Sequence, residues 1–134
     1  MTADGSTAAA AAADPGIDYN LIAELCDLAD GDPAFLPDLF AAFVRDGARR
    51  ADAIETAAAR GDWTGLARAA HGLVGLAATI GARQISALCR ALEEDLKREA
   101  ASATGARPLV EERVRRIRAE LERATPLLET LLRP

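Results

Sequence analysis

The chain has 134 residues and a mass of 14.1 kDa, the length of one domain, and this is enough to bury a core without a metal or a disulfide. Half of the residues are hydrophobic but only 4% are aromatic, since Ala and Leu, both strong helix formers, supply most of the apolar share. The net charge of −5 has the wrong sign for binding the phosphate backbone of a nucleic acid. We therefore predict an all-α protein that does not bind nucleic acid.

The longest uncharged apolar stretch covers residues 69–82 and is shorter than the roughly 20 residues that a membrane-spanning helix needs. We therefore expect no membrane span. Near the N-terminus stands Asp4, where a secretory signal has basic residues, and this predicts a cytoplasmic location. Cys26 and Cys89 both fall on apolar helix faces and are predicted to be reduced core residues.

Residues 1–16 include six consecutive alanines and end in Pro15 and Gly16. They contain no large side chain that could anchor a helix to a core. We predict a disordered Ala-rich tail over residues 1–16 and a folded helical domain over residues 17–134.

From residue 18 onward, apolar residues recur at spacings of three and four, without the alternation typical of strands. The first helix is predicted over residues 18–29, followed by a break at Asp30 and Gly31. Asp32 is expected to cap a second helix that begins at Pro33 and continues to about residue 60.

A third helix is predicted over residues 63–80, because Asp62 supplies a new cap and Gly81 a C-terminal stop. The fourth helix carries the apolar residues Ile85, Leu88, Cys89, Leu92 and Leu96, and its pattern ends within residues 100–106.

The fifth helix follows Pro108 and repeats its apolar residues in strict steps of four and three. Pro126 is expected to interrupt the pattern and to kink the last turn. Helices of this length with short connections predict an up-down antiparallel four-helix bundle with an additional N-terminal helix.

His71 is the single histidine, and helical geometry places it about 170° from the centre of the apolar stripe of its helix. Its neighbours on the same face are Ala67, Gly75 and Ala78. Gly75 costs about 1 kcal/mol relative to Ala inside a helix, which suggests that a partner must come close. An exposed imidazole on a face without bulky side chains suits attack on an electrophile that a partner brings. These residues alone are equally consistent with a surface histidine that has no function.

The segment around His71 resembles the signature of histidine-containing phosphotransfer (HPt) domains. The resemblance extends over residues 18 to about 131 and rests on residues 60–63 (RGDW), Phe40 and Phe43, residues 70–75 (AHGLVG), residues 81–82 (GA) and residues 88–93 (LCRALE). It implies a phosphocarrier without catalytic activity of its own, which accepts a phosphoryl group on His71 from the aspartate of one receiver domain and passes it to another.

The resemblance also implies partners, namely response-regulator receiver domains and a hybrid sensor histidine kinase. It assigns Mg²⁺ to the receiver, and no cofactor is expected on this chain. The family usually has Lys three residues after the histidine, where this chain has Val74.

Other side chains could supply the charge that this lysine provides. If the third and fourth helices form an antiparallel hairpin, Glu93 lies beside His71 and Lys97 lies beside Arg68. By resemblance, Glu93 occupies a position whose side chain holds one ring nitrogen by a hydrogen bond. Glu93 also has a simpler interpretation, a pair with Lys97 one turn on.

A hydrolase or a metal site is disfavoured, because the chain has one histidine and no clustered ligand spacing, so no metal ligands are predicted. The alternative function is a structural adaptor that docks receivers without carrying phosphate or dimerises through its C-terminal helix. We expect that helix to pack inside the bundle of a monomer.

Overall fold

The computed structural model describes residues 14, 16–100 and 107–133, and the described chain is helical as predicted. The helices are α1 (Tyr19–Leu28), α2 (Phe35–Arg60), α3 (Trp63–Ile80), α4 (Arg83–Ala100) and α5 (Arg107–Leu131). None of these described helices is long and apolar enough to cross a membrane.

Helices α2 to α5 form the predicted antiparallel four-helix bundle. Each of α2 and α4 packs against both α3 and α5, so that α3 and α5 lie diagonally opposite. The short turns after α2 and α3 reverse the chain direction between neighbouring helices. The core between them is continuous and contains Phe43, Ile54, Leu66, Leu73, Ile85, Leu92, Ile117 and Leu128, all at most 1% exposed.

Helix α3, which carries His71, has the boundaries that its sequence predicts. The Asp62 side chain accepts a hydrogen bond from the Gly65 backbone N–H at 2.9 Å and caps the first turn. Gly81 ends the helix in the left-handed conformation, with φ of 78°. The Asp18 backbone N–H donates to the Gly81 carbonyl at 2.9 Å, which ties the N-terminal segment to this turn.

The predicted start of α2 is wrong by two residues. Asp32 Oδ1 accepts a hydrogen bond from the Ala34 N–H at 3.0 Å, and this bond closes a turn instead of capping the helix. Helix α2 therefore begins at Phe35. Pro37 lies in its first turn, where a missing N–H removes no helical hydrogen bond.

The predicted interruption at Pro126 is also wrong, since α5 continues through it to Leu131. The Thr125 hydroxyl donates to the Leu121 carbonyl at 2.6 Å in the turn that precedes the proline. The apolar stripe of α5 faces the core of its own bundle, with Val110, Val114, Ile117, Leu121, Ala124 and Leu128 buried. A coiled-coil dimer would need this same apolar stripe, which is already buried within the bundle of one chain.

Most of the predicted N-terminal tail, residues 1–13 and Pro15, lies outside the described residues. Asp14 and Gly16 are described and contact the bundle. Asp14 pairs with Arg123 of α5 at 2.7 Å, and the Gly16 carbonyl accepts from the Gln84 N–H at 3.1 Å. The hydrogen bond from Arg123 lowers the pKa of the Asp14 carboxyl.

The expectation that both cysteines are buried is wrong for Cys26, which is exposed, whereas Cys89 is buried. Helix α1 buries only Ile22 and Leu25 against the bundle, so its contact is narrower than its apolar stripe. Leu28, on the same helix, is 71% exposed. The two thiols therefore lie in different environments.

We expect iodoacetamide at pH 8 to alkylate Cys26 and to leave Cys89 unmodified in the folded protein. Burial raises the pKa of the Cys89 thiol to about 12, and the nearby Glu93 charge adds to the rise, so the reactive thiolate is scarce at pH 8. Intact mass should show one adduct in native buffer and two in guanidinium chloride. Two adducts in native buffer would contradict the buried position of Cys89.

Candidate functional site

His71 lies at the middle of α3 on the face that points away from the core. Its side chain is 78% exposed, whereas Ala70, Leu73 and Ala77 of the same helix are fully buried. This orientation matches the one that the apolar stripe predicts. The imidazole is therefore open to a partner molecule.

The helix face around His71 carries small side chains, as the spacing predicts. Ala67 is half-buried, and Gly75 and Ala78 are exposed. Apart from the nearby backbone of α3 itself, no atom of the described residues lies within 4 Å of the position that a Cβ of Gly75 would take. A partner surface can thus approach the helix backbone one turn beyond the histidine.

Glu93 of α4 reaches the histidine ring. His71 Nδ1 lies 3.4 Å from Glu93 Oε2, and the Glu93 side chain is 22% exposed. The tight turn at Gly81 and Ala82 brings α4 back along α3, which is the hairpin register that the sequence predicts. A neutral ring with its proton on Nδ1, facing the carboxylate, leaves the Nε2 lone pair free.

Helix α4 is fixed in this position by a buried carboxylate farther along it. Asp95, whose side chain is 3% exposed, binds Arg113 of α5 at 2.8 Å and Arg98 of its own helix at 2.8 Å. Both carboxylate oxygens are used, so the buried charge is compensated. The pair holds α4 against α5 two residues from Glu93.

A cavity of about 320 Å³ opens beside the ring between α3 and α4. It is lined by His71, Val74, Arg90, Glu93, Glu94 and Lys97. The structure thus brings two of the predicted supporting residues, Glu93 and Lys97, to His71. Lys97 binds Glu94 at 3.5 Å and Glu93 faces His71, so the simpler interpretation of Glu93 as the ion-pair partner of Lys97 is wrong.

Arg68, the third predicted supporting residue, is exposed on α3 and does not line this cavity. Sequence reasoning also missed Arg90, although a signal for it existed. The register that sets Glu93 level with His71 sets Arg90 level with Val74, one turn along the hairpin.

Val74, three residues after His71, is the α3 position at which the family usually has a lysine, and here it supplies no positive charge. Its side chain is in the core, at 9% exposure, and its carbonyl accepts a hydrogen bond from the Ser86 hydroxyl at 3.4 Å. The position therefore contributes packing between α3 and α4 instead of charge.

Arg50 of α2 is a further cation that sequence reasoning missed. Its guanidinium occupies the space that a Cβ of Gly72 would fill, directly after the histidine. Glycine at position 72 thus allows an α2 side chain to cross α3. Arg50 lies on the flank opposite Glu93, in a separate cavity with Asp46, Arg49 and Ala53.

The described residues contain no group of three or more His, Cys, Asp or Glu side chains that could hold a metal ion. The chemistry that this arrangement can support is nucleophilic attack by Nε2 of His71 on an electrophile from outside, with the Glu93 carboxylate 3.4 Å from the other ring nitrogen.

Comparison with known proteins agrees with this geometry. The family model described as Hpt domain matches residues 38–125, more than half of the chain, and this span includes His71, Glu93 and Lys97. No curated protein and no solved structure matches the chain. With the bundle, the exposed histidine and the family match in agreement, the chain belongs to the histidine-containing phosphotransfer domain family, whose members transfer phosphoryl groups in two-component phosphorelays.

Proposed function

We propose that this protein accepts a phosphoryl group on Nε2 of His71 from the aspartyl phosphate of one receiver domain and passes it to the aspartate of another. The observation that carries the proposal is the 78% exposed imidazole whose Nδ1 lies 3.4 Å from Glu93. An exposed nucleophile with one nitrogen held by a carboxylate has one nitrogen free to react.

In the forward step, the Nε2 lone pair attacks the phosphorus of the aspartyl phosphate. The P–N bond forms while the P–O bond to aspartate breaks, and its electron pair leaves with the carboxylate. The ring keeps its Nδ1 proton and becomes positively charged. Glu93 stabilises that charge at 3.4 Å, and the reverse sequence of bonds gives the phosphoryl group to the next receiver.

Other residues have supporting roles in the proposal. Ala67, Gly75 and Ala78 form the docking face for the receiver, which itself holds the Mg²⁺. Lys97 and Arg68 add positive charge that favours the phosphoryl group. The protein acts as a cytoplasmic monomer without catalytic activity of its own, and a hybrid sensor kinase feeds the relay.

The test uses every receiver domain encoded by the source organism, each phosphorylated with acetyl phosphate and then incubated with this protein. At least one should transfer phosphate to the chain in a form that is labile to acid and stable to base. Failure of transfer from the complete set would overturn the proposal.

Glu93→Ala should slow this transfer about tenfold, because a half-buried carboxylate 3.4 Å from the ring that becomes charged contributes about 1.4 kcal/mol. Glu93→Gln keeps an acceptor without the charge, and its transfer rate should lie between those of Glu93→Ala and the wild type. Glu122→Ala, an exposed carboxylate on α5, is the matched control and should transfer as the wild type does. Transfer that is unchanged in Glu93→Ala would remove Glu93 from the mechanism.

One observation favours the alternative, a domain that docks receivers without carrying phosphate. Val74 is buried where the family's pattern has an exposed lysine. The alternative predicts that a receiver binds the chain and that no phosphate moves to His71 in the same assay.

A further inference from the structure

One of the two cations that line the cavity beside His71 forms no ion pair with a described residue. Besides His71 and Val74, the lining consists of two carboxylates, Glu93 and Glu94, and two cations, Arg90 and Lys97. Glu94 pairs with Lys97 at 3.5 Å, and Glu93 faces the histidine ring at 3.4 Å. The Arg90 side chain has no hydrogen bond or ion pair to any described residue.

Arg90 therefore brings a guanidinium without an ion-pair partner among the described residues to the wall of this cavity. It comes from α4, level with Val74, the α3 residue that stands where the resemblance expects lysine. Arg50, the cation on the other flank, lies over Gly72 and does not line the cavity. Among the described cations that line it, only Arg90 is free to bind an anion.

The geometry points to Arg90 as the side chain that binds the phosphoryl oxygens once phosphate is on His71, in place of a lysine on α3. This inference rests on the proposed function. A guanidinium can donate two parallel hydrogen bonds to a phosphoryl group, and within the described part of the chain Arg90 has no carboxylate partner to give up first. It acts only after the P–N bond has formed or while it forms, so it leaves the free histidine unaffected.

The test measures the second ionisation of the phosphoryl group on the full chain. His71 is phosphorylated with potassium phosphoramidate, which needs no receiver, and the ³¹P chemical shift is followed from pH 5 to 9. A neighbouring cation stabilises the dianion, so its removal raises the phosphoryl pKa. Arg90→Met should raise it by about half a unit, corresponding to about a threefold change in the equilibrium, and Arg90→Lys should restore part of the difference.

Two further variants separate Arg90 from its neighbours. Arg83→Met removes a 60% exposed cation from the first turn of α4, where it pairs with Asp18, and should leave the titration unchanged. Lys97→Met removes the cation already paired with Glu94 and should shift the titration less than Arg90→Met does. A titration that moves with Lys97→Met and not with Arg90→Met would overturn the inference.

The outcome is distinct from that of the proposed function. If receivers transfer phosphate to His71 but Arg90→Met titrates like the wild type, the inference fails and the phosphocarrier function stands. If no receiver transfers phosphate but the chemically labelled protein shows the Arg90 effect, the binding role of Arg90 stands and the proposed function fails.

Discussion

His71→Gln is expected to abolish phosphoryl uptake from every receiver domain and to leave the fold intact. The chain has no second histidine that could accept the group. The His71 side chain is 78% exposed and its ion-pair contact is with Glu93 at 3.4 Å, so its loss should change the free energy of unfolding by less than about 0.5 kcal/mol. Radiolabel transfer and thermal melting by circular dichroism give the two measurements.

The matched control for this variant is Gln84→Ala, a partly exposed polar residue on α4 beyond the turn that ends the histidine helix. It should transfer phosphate normally. Phosphate retained by His71→Gln would assign the acceptor to another residue, and a melting point far below that of the wild type would mean that His71 has a structural role.

Gly75→Leu is expected to stabilise the isolated protein while weakening receiver binding by at least about tenfold. Leucine is a better helix former than glycine by up to about 1 kcal/mol, and a Cβ at position 75 meets no described atom beyond the backbone of its own helix, so the substitution begins in open space. The same side chain projects from the docking face next to His71, where it blocks a close approach of the receiver backbone. Stability and function should thus change in opposite directions.

Ala119→Leu, an exposed small-to-large change on α5, is the control for the added apolar bulk. Helix α5 lies diagonally opposite α3, so this variant should bind receivers as the wild type does. Calorimetric titration of a receiver into each protein gives the affinity. Equal affinities for Gly75→Leu and the wild type would leave the glycine without a functional explanation.

The parts of the fold that the sequence predicted best are those with a chemical signal at each end. Asp62 and Gly81 mark both ends of α3, and the structure uses both as caps. The pair Asp32 and Pro33 gave a weaker signal, since an aspartate before proline also suits a turn, and there it forms one. Periodicity predicted the apolar face of α1 but not how much of it the bundle covers, which is why Cys26 was misplaced.

Some residues around His71 can likewise be placed from the sequence, whereas others cannot. The tight turn at Gly81 fixes the register of α4 on α3, so Glu93 could be placed beside His71 before the structure was known. The turn at Gly61 and Asp62 sets Arg50 level with Gly72 by the same geometry. The rotation of α2 about its axis decides whether Arg50 points toward that glycine, and rotation depends on core packing that spacing alone does not determine.

The location of phosphorus on the wild-type chain tests the central claim most directly. The ¹⁵N-labelled protein, incubated with phosphorylated receiver domains of its own organism, should show phosphorus bound to Nε2 of His71 while Nδ1 keeps its proton toward Glu93. Phosphorus on Nδ1 or on another residue, or no phosphohistidine with any of those receivers, would contradict the account.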